Sequence, residues 1–275
     1  YPLRRQRQMC IRDSRKITVI DGKIGFTGGY NLADEYFNIT HPYGYWKDTG
    51  VRLEGDAVRS LTVMFLEMWN AFREPETDFK AFDSHRWHPE PFESDGYVVP
   101  YSDTPLDFEE LGENVYINIL NQAKDYVYIA TPYLLISDEM ENALCTAAKR
   151  GVDVRILMPG IPDKPMVFYM AKSYYPPLLE AGVKIYEYTP GFIHSKVILS
   201  DNCAMVGTVN MDYRSFYLHF ENAVWITEND IMADIYKDFI ATFDISEEIS
   251  YDAWLKRPLK DKLLQPVFNM FSTLV

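Results

Sequence analysis

The residues with the clearest chemical potential lie at 191–201, where the sequence reads Gly-Phe-Ile-His-Ser-Lys-Val-Ile-Leu-Ser-Asp. This alternating pattern predicts one continuous strand, in which successive side chains point to opposite faces. His194 and Lys196 would then project from the same face. A neutral imidazole can serve as a nucleophile or as an acid and base, and an ammonium neutralises phosphate oxygens. The pair therefore predicts chemistry at an anionic phosphorus centre.

A second polar cluster begins six residues after this stretch, at Gly207-Thr208-Val209-Asn210. The glycine suits a tight turn, and the hydroxyl and amide side chains can donate hydrogen bonds to phosphate. A histidine alone on a strand is more often a packed or solvated side chain. The histidine, the lysine and this cluster together favour a phosphate site, with Asn210 as one of its donors.

The pattern occurs twice, and internal repeats indicate how a chain is organised. In the first copy Lys16, Asp21 and Asn31 fall where the second copy has its lysine, aspartate and asparagine. By this alignment position 14 corresponds to the motif histidine, but the residue there is Ser14. A serine hydroxyl cannot replace an imidazole without an activating base. Taken literally, the chain contains one complete motif and one incomplete motif.

The incomplete motif coincides with an unusual N-terminal segment. Residues 1–14 are rich in arginine although the chain carries a net charge of −13, and they show neither a helical nor a strand period. We interpret residues 1–14 as a non-native leader that ends where the repeat begins.

The two motifs resemble the paired His-x-Lys-x4-Asp motifs of the phospholipase D superfamily. The segments at 27–36, 45–49 and 207–215 are similar to bacterial cardiolipin synthases. The resemblance covers Arg15 to about Phe243. It implies an α/β fold of two pseudo-symmetric sheet-and-helix halves with the active site between them, of which the first half is truncated here.

The resemblance also implies an activity. Cardiolipin synthases of this family are phosphatidyltransferases that join two phosphatidylglycerol molecules, release glycerol and pass through a phosphatidyl-histidine intermediate. Neither a metal nor another cofactor is needed. The implied partners are phosphatidylglycerol and an anionic phospholipid membrane, and the implied location is the bacterial cell membrane, with the catalytic part on the cytoplasmic side.

The resemblance assigns a role to each candidate residue. His194 is one of two essential histidines, and Glu221 is expected to accept the proton on its other ring nitrogen. Asp48 is the expected carboxylate partner of the missing first histidine. The phosphate oxygens are expected to bind Lys16, Asn31, Lys196 and Asn210. Asp21 and Asp201 complete the catalytic set as structural acids near the site.

The order of the chemical steps stays open. In many members of the family the first motif's histidine is the nucleophile, and Ser14 would then remove it. In the alternative mechanism His194 itself attacks phosphorus, and water is a poor substitute for the missing acid. Either reading predicts that this chain is impaired relative to a two-histidine enzyme.

Strands and helices alternate along the chain, which is typical of an α/β sheet covered by helices. Three helices are expected to begin at caps, at Asp56, at Ser137 and at an Asp107-x-x-Glu110 capping box. Beyond the leader we predict a first repeat, a connector, a second repeat and a tail, at 15–78, 79–96, 97–247 and 248–275.

Composition limits the function classes. The net charge of −13 argues against nucleic-acid binding, and three unpaired cysteines argue against a disulfide framework or a zinc site. No apolar run reaches the roughly 18 residues of a membrane-spanning helix. A phospholipase D hydrolase, a transferase with another acceptor, a nuclease and a non-catalytic binder of anionic lipids remain alternatives.

Overall fold

The computed structural model describes residues 12–73, 78–83, 92–93, 95–107, 109–260, 262, 264 and 268. Most of the predicted leader, part of the predicted connector and most of the predicted tail lie outside these residues. The domain boundaries drawn from the sequence therefore stay predictions.

The described residues form sixteen strands. In chain order they are β1 Arg12–Asp13, β2 Ile17–Ile20, β3 Ile24–Gly28, β4 Tyr45–Lys47, β5 Gly50–Glu54, β6 Tyr97–Asp103, β7 Tyr126–Ala130, β8 Leu134–Leu135, β9 Asp153–Pro159, β10 Lys184–Tyr188, β11 Gly191–Ile193, β12 Val197–Ser200, β13 Cys203–Gly207, β14 Met211–Asp212, β15 His219–Thr227 and β16 Ser246–Glu248.

Eight α-helices accompany these strands among the described residues. They are α1 Val58–Phe72, α2 Leu111–Gln122, α3 Asp138–Lys149, α4 Pro165–Ala171, α5 Tyr175–Ala181, α6 Tyr213–Tyr217, α7 Ile231–Phe243 and α8 Tyr251–Leu255. Short 3-10 helices occupy Asp34–Phe37 and Phe79–Phe82.

The second half is built on a nine-stranded mixed sheet. Its strands run in the order β15, β13, β12, β7, β9, β10 and β16, and both β1 and β6 pair with β15. The central strands β7, β9 and β10 are parallel, and helices cover both faces. The strand β12 is buried along its whole length, as expected for a strand with covered faces.

The first half is a three-stranded antiparallel sheet, β2–β3–β5, with α1 packed against it. Leu53, Val58 and Leu61 form one apolar cluster with Val224 and Ile226 of β15, so the two halves share a core. A buried hydrogen bond between the Asn222 amide and the Thr27 hydroxyl also joins them, at 2.7 Å. The predicted α/β fold of two sheet-and-helix halves is confirmed.

Some local predictions are confirmed and others are wrong. Ser137 caps α3, because its hydroxyl accepts the backbone N–H of Met140 at 3.0 Å. The capping box is absent: α2 begins at Leu111, and the Asp107 carboxylate instead accepts the N–H of Glu109 at 3.1 Å. The Asp107 side chain thus stabilises a local turn that ends before the helix begins, and it does not cap the helix.

The continuous strand predicted at the complete motif is also wrong. The structure has two strands, β11 and β12, and residues 194–196 between them belong to neither. β11 pairs with β4 of the first half, whereas β12 lies in the large sheet. The chain therefore passes from one sheet to another at the motif, which brings groups of both halves to His194.

Within the described part of the chain, every helix is too short or too polar to cross a membrane.

Candidate active site

The site forms where β4 of the first half runs parallel to β11 of the second. The pairing places Lys47 opposite Ile193, and the backbone N–H of His194 then donates to the Lys47 carbonyl at 2.8 Å. The residue directly after β4 is Asp48, whose Oδ2 lies 2.7 Å from Nδ1 of His194. Two residues that are 146 positions apart thus form one imidazole–carboxylate pair.

The pairing predicted from sequence is therefore wrong. Glu221 was expected to hold His194, but that position belongs to Asp48, the residue assigned to the other motif. Glu221 is completely buried and accepts the Thr208 hydroxyl at 2.5 Å and the Ser215 hydroxyl at 3.0 Å. Each carboxylate was assigned to the motif nearest it in sequence, whereas the fold crosses them over.

The carboxylate of Asp48 is held rigidly. Its Oδ1 accepts the backbone N–H of Thr49 at 2.8 Å, and its side chain has no exposed surface. A Cβ on Gly29 would lie only 2.0 Å from that oxygen, so this glycine leaves the room that the carboxylate needs. The Thr49 hydroxyl donates to the Ser195 hydroxyl at 2.9 Å and so connects the end of β4 to the complete motif.

Two aromatic rings enclose the imidazole of His194. Tyr36 meets it edge-on and Trp46 lies tilted against it, each with a centroid separation of 5.2 Å. The pKa of His194 is lowered to about 4, chiefly by burial and next by the charge of Lys196, while the hydrogen bond and charge of Asp48 oppose both. The ring is therefore neutral near pH 7, with Nδ1 bonded to Asp48 and Nε2 left for chemistry.

Two lysines supply positive charge beside the ring. The ammonium of Lys196 donates to the His194 carbonyl, and that of Lys16 donates to the Ser14 carbonyl at 2.6 Å. Burial lowers the pKa of Lys196 to about 7, and the charge of Lys16 contributes in the same direction. Burial also lowers the pKa of Lys16. The charges of Asp48 and Glu221 oppose this lowering for both lysines, and a bound phosphate would oppose it further.

We expect phosphodiester binding to depend on the protonation of Lys196. Below pH 7 the ammonium is already present, whereas above pH 7 binding must take up a proton. The dissociation constant for glycerophosphoglycerol, whose own charge is fixed in this range, should rise about tenfold per pH unit above 7. Titration calorimetry from pH 6 to 9 would measure this. Lys196→Arg should bind with a much flatter pH profile, and an equally steep profile in that variant would contradict the assignment.

Position 14 lies next to the other buried carboxylate. The backbone N–H of Ser14 donates to the Phe220 carbonyl at 2.9 Å, and its hydroxyl lies 3.4 Å from Nδ1 of His219. The same nitrogen lies 3.4 Å from Glu221. Position 14 and the Glu221 carboxylate are thus connected through His219, and a role of Glu221 as the carboxylate of the first motif is a prediction.

The two predicted asparagines border the site in different ways. Asn31 lines a surface cavity of about 780 Å³ together with Lys16, and its amide donates to the Tyr36 hydroxyl at 2.6 Å. Asn210 follows β13, and its buried Oδ1 has no hydrogen-bond partner among the described residues. Phosphate binding by either residue stays a prediction.

The two motif aspartates are not near the site. Asp201 accepts the backbone N–H groups of Lys124 and Asp125 at 3.0 and 3.1 Å, and so supports the turn between α2 and β7. Five residues of extended chain, roughly 16 Å, separate it from Lys196. Asp21 is exposed in the turn between β2 and β3, with a φ of 53°. Asp201 is therefore a structural acid, as expected, although it lies at the far end of β12 from Lys196, and a catalytic contribution of either acid stays a prediction.

Sequence reasoning missed the residues that surround His194 from other elements. Tyr36 stands on a 3-10 helix, Trp46 on β4, and Thr49 after it. The Tyr-Trp-Lys-Asp-Thr segment at 45–49 was the available signal, because its apolar residues flank an acid. Its partner in space could not be read from the chain.

The fold and the site define a phospholipase D-like protein. Residues 116–243 match the family described as "Cardiolipin synthase, PLD-like domain". The structure superposes on phosphatidylserine synthase from Haemophilus influenzae with a TM-score of 0.68, covering 98% of this chain and 72% of that one at 14% identity, which supports the fold.

Curated relatives are similar over most of the chain. Cardiolipin synthase 2 of Bacillus anthracis is 40% identical over 271 residues, which are 96% of this chain and 51% of that protein. An uncharacterised protein of Streptococcus mutans serotype c is 52% identical over 265 residues, or 96% of this chain and 57% of that protein. The chain thus belongs to the cardiolipin synthase family of phospholipase D-like proteins, and it spans about half the length of these relatives.

Proposed function

We propose that this chain carries catalytic residues of a phosphatidyltransferase that forms cardiolipin from two phosphatidylglycerol molecules and releases glycerol. The observation that carries the proposal is the buried Asp48–His194 pair beside two lysines. The family membership supports the same class of reaction. We further propose that the protein works at the surface of an anionic bacterial membrane, on its cytoplasmic side.

The first half-reaction uses the free nitrogen of His194. Nε2 attacks phosphorus, the bond from phosphorus to the glycerol oxygen breaks, and the glycerol oxygen takes up a proton. Asp48 holds the proton on Nδ1 and stabilises the positive charge that develops on the ring. Lys16 and Lys196 neutralise the phosphate oxygens as negative charge builds up, and the amides of Asn31 and Asn210 donate hydrogen bonds to them.

The second half-reaction returns the phosphatidyl group to oxygen. A hydroxyl of another phosphatidylglycerol attacks the phosphatidyl-histidine, the phosphorus–nitrogen bond breaks, and the hydroxyl proton leaves to a base. Such proton transfers normally fall to a second imidazole. With Ser14 in that position, water must supply and remove the protons, so we propose that this chain turns over slowly.

A direct experiment follows the products and the intermediate together. The protein is mixed with vesicles of phosphatidylglycerol labelled in the phosphate and, separately, in the head-group glycerol. We expect one glycerol released per cardiolipin formed. We also expect an acid-labile, alkali-stable label on the protein that maps to His194 and is missing in His194→Ala.

Other outcomes select other functions. Phosphatidic acid without cardiolipin would identify a hydrolase of the same fold. Vesicle binding with neither product nor label would identify a non-catalytic binder of anionic lipid, which is the function that Ser14 favours. Normal cardiolipin formation by His194→Ala would contradict the proposed mechanism.

A further inference from the structure

A loop of the second half is fixed beside the strand that leads to His194. It comprises residues 160–164 and follows β9. The backbone N–H groups of Gly160 and Ile161 both donate to the Gly191 carbonyl, at 3.0 and 3.1 Å. Gly191 begins β11, three residues before the catalytic histidine. The loop therefore belongs to the wall of the site.

Tyr133 directly precedes β8, the strand that pairs with β14. The parallel pairing of β8 with β14 sets Leu134 against Met211, so Tyr133 lies beside Asn210 in register. The Thr131 hydroxyl strengthens this arrangement, because it donates to the Tyr133 carbonyl at 2.8 Å and accepts the Met211 N–H at 3.2 Å. Tyr133 is thus held next to a predicted phosphate donor.

Asp163 connects the loop to Tyr133 through one carboxylate oxygen, and its other carboxylate oxygen makes no hydrogen bond to the described residues. Its Oδ2 accepts the Tyr133 hydroxyl at 2.7 Å, and the Lys164 ammonium donates to that hydroxyl at 2.9 Å. Its Oδ1 is buried and has no hydrogen-bond partner among the described residues. A carboxylate oxygen left unpaired in this way is costly, which indicates a place for a missing donor.

The charge of Asp163 also acts on Tyr36, one of the rings beside His194. Burial raises the pKa of Tyr36 to about 12, and the charges of Asp48 and Asp163 contribute to the rise. Because Tyr36 meets the imidazole edge-on, the charge of Asp163 acts on a ring that contacts His194. The position suits a group attached to a phosphate that lies between the lysines.

We propose that Asp163, supported by Tyr133 and Lys164, forms a subsite for the hydroxyl groups of a glycerol head group, with Oδ1 accepting one hydroxyl proton. This inference rests on the proposed function. A simple alkyl group would leave Oδ1 unpaired, and Lys164 disfavours cationic head groups such as choline. A site built to bind a hydroxyl discriminates strongly against ligands that lack it.

The test compares two soluble phosphodiesters, glycerophosphoglycerol and diethyl phosphate, which share the phosphate but differ in hydroxyl groups. Binding to the full chain is measured by titration calorimetry, so that catalysis is not required. Asp163→Ala should weaken glycerophosphoglycerol binding about tenfold or more, the usual effect of losing a hydrogen bond to a charged group. Its affinity for diethyl phosphate should stay within about twofold.

Asp153 provides a matched control, because its carboxylate also accepts a tyrosine hydroxyl, that of Tyr128 at 3.3 Å, at the other end of β9. Asp153→Ala should leave the ratio of the two affinities unchanged, and circular dichroism would confirm the fold of both variants. An equal loss for both ligands in Asp163→Ala, or no loss, would overturn the subsite alone. Failure of the unmodified chain to bind either diester would overturn the proposed function and the subsite with it.

Discussion

Ser14→His is expected to increase the rate of cardiolipin formation by about 10²–10⁴-fold, the usual contribution of a positioned acid and base. The backbone at position 14 is already bonded to the Phe220 carbonyl of β15, and the next residue along that strand is the buried Glu221. A histidine there would have the carboxylate partner that His194 has in Asp48. The measurement is the initial rate of glycerol release from labelled phosphatidylglycerol vesicles.

Controls separate this effect from a general improvement of the fold. Ser14→Ala should give no increase, and the double variant Ser14→His/Glu221→Gln should lose most of it. His219→Asn belongs in the series, because His219 competes for Glu221 in the present chain. A folded Ser14→His protein with an unchanged rate would show that position 14 does not serve as the second imidazole site.

Asp48→Asn, made in the Ser14→His protein, is expected to slow phosphatidyl transfer by about 10³–10⁴-fold. An amide can donate to Nδ1 and so favours the wrong tautomer, and it cannot stabilise the imidazolium that develops. A carboxylate-to-amide change in a catalytic triad has an effect of about this size. The rate is measured in single turnover, so that product release does not mask the chemical step.

His194→Ala, also made in the Ser14→His protein, gives the residual rate that remains in this assay without the catalytic imidazole. Because Asp48 acts through the imidazole, combining Asp48→Asn with His194→Ala should give a rate no slower than that of His194→Ala without it. Glycerophosphoglycerol binding should change much less than the rate in Asp48→Asn, since the lysines remain. Equal losses of rate and of binding would instead indicate that Asp48 supports the structure and does not orient the ring.

The sequence predicted the chemistry of the site better than its geometry. His194 and Lys196 were identified from their types and spacing, and the repeat identified Lys16. The strand expected to carry them was not found, because the alternating pattern cannot distinguish one strand from two short strands in different sheets. Asp163 escaped notice, because a single acid after a strand has no distinctive spacing.

By itself, the sequence determined the α/β class, the two motifs, the missing histidine at position 14 and the family. These features depend on residue type and on short-range spacing, which the chain displays directly. Only the tertiary structure decided which carboxylate serves which position. β4 and β11 come from different halves, and their parallel pairing brings Asp48 to His194, whereas Glu221 bonds to Thr208 and Ser215. Contacts across so long a stretch of chain are set by how the sheets pack, and local patterns do not encode them.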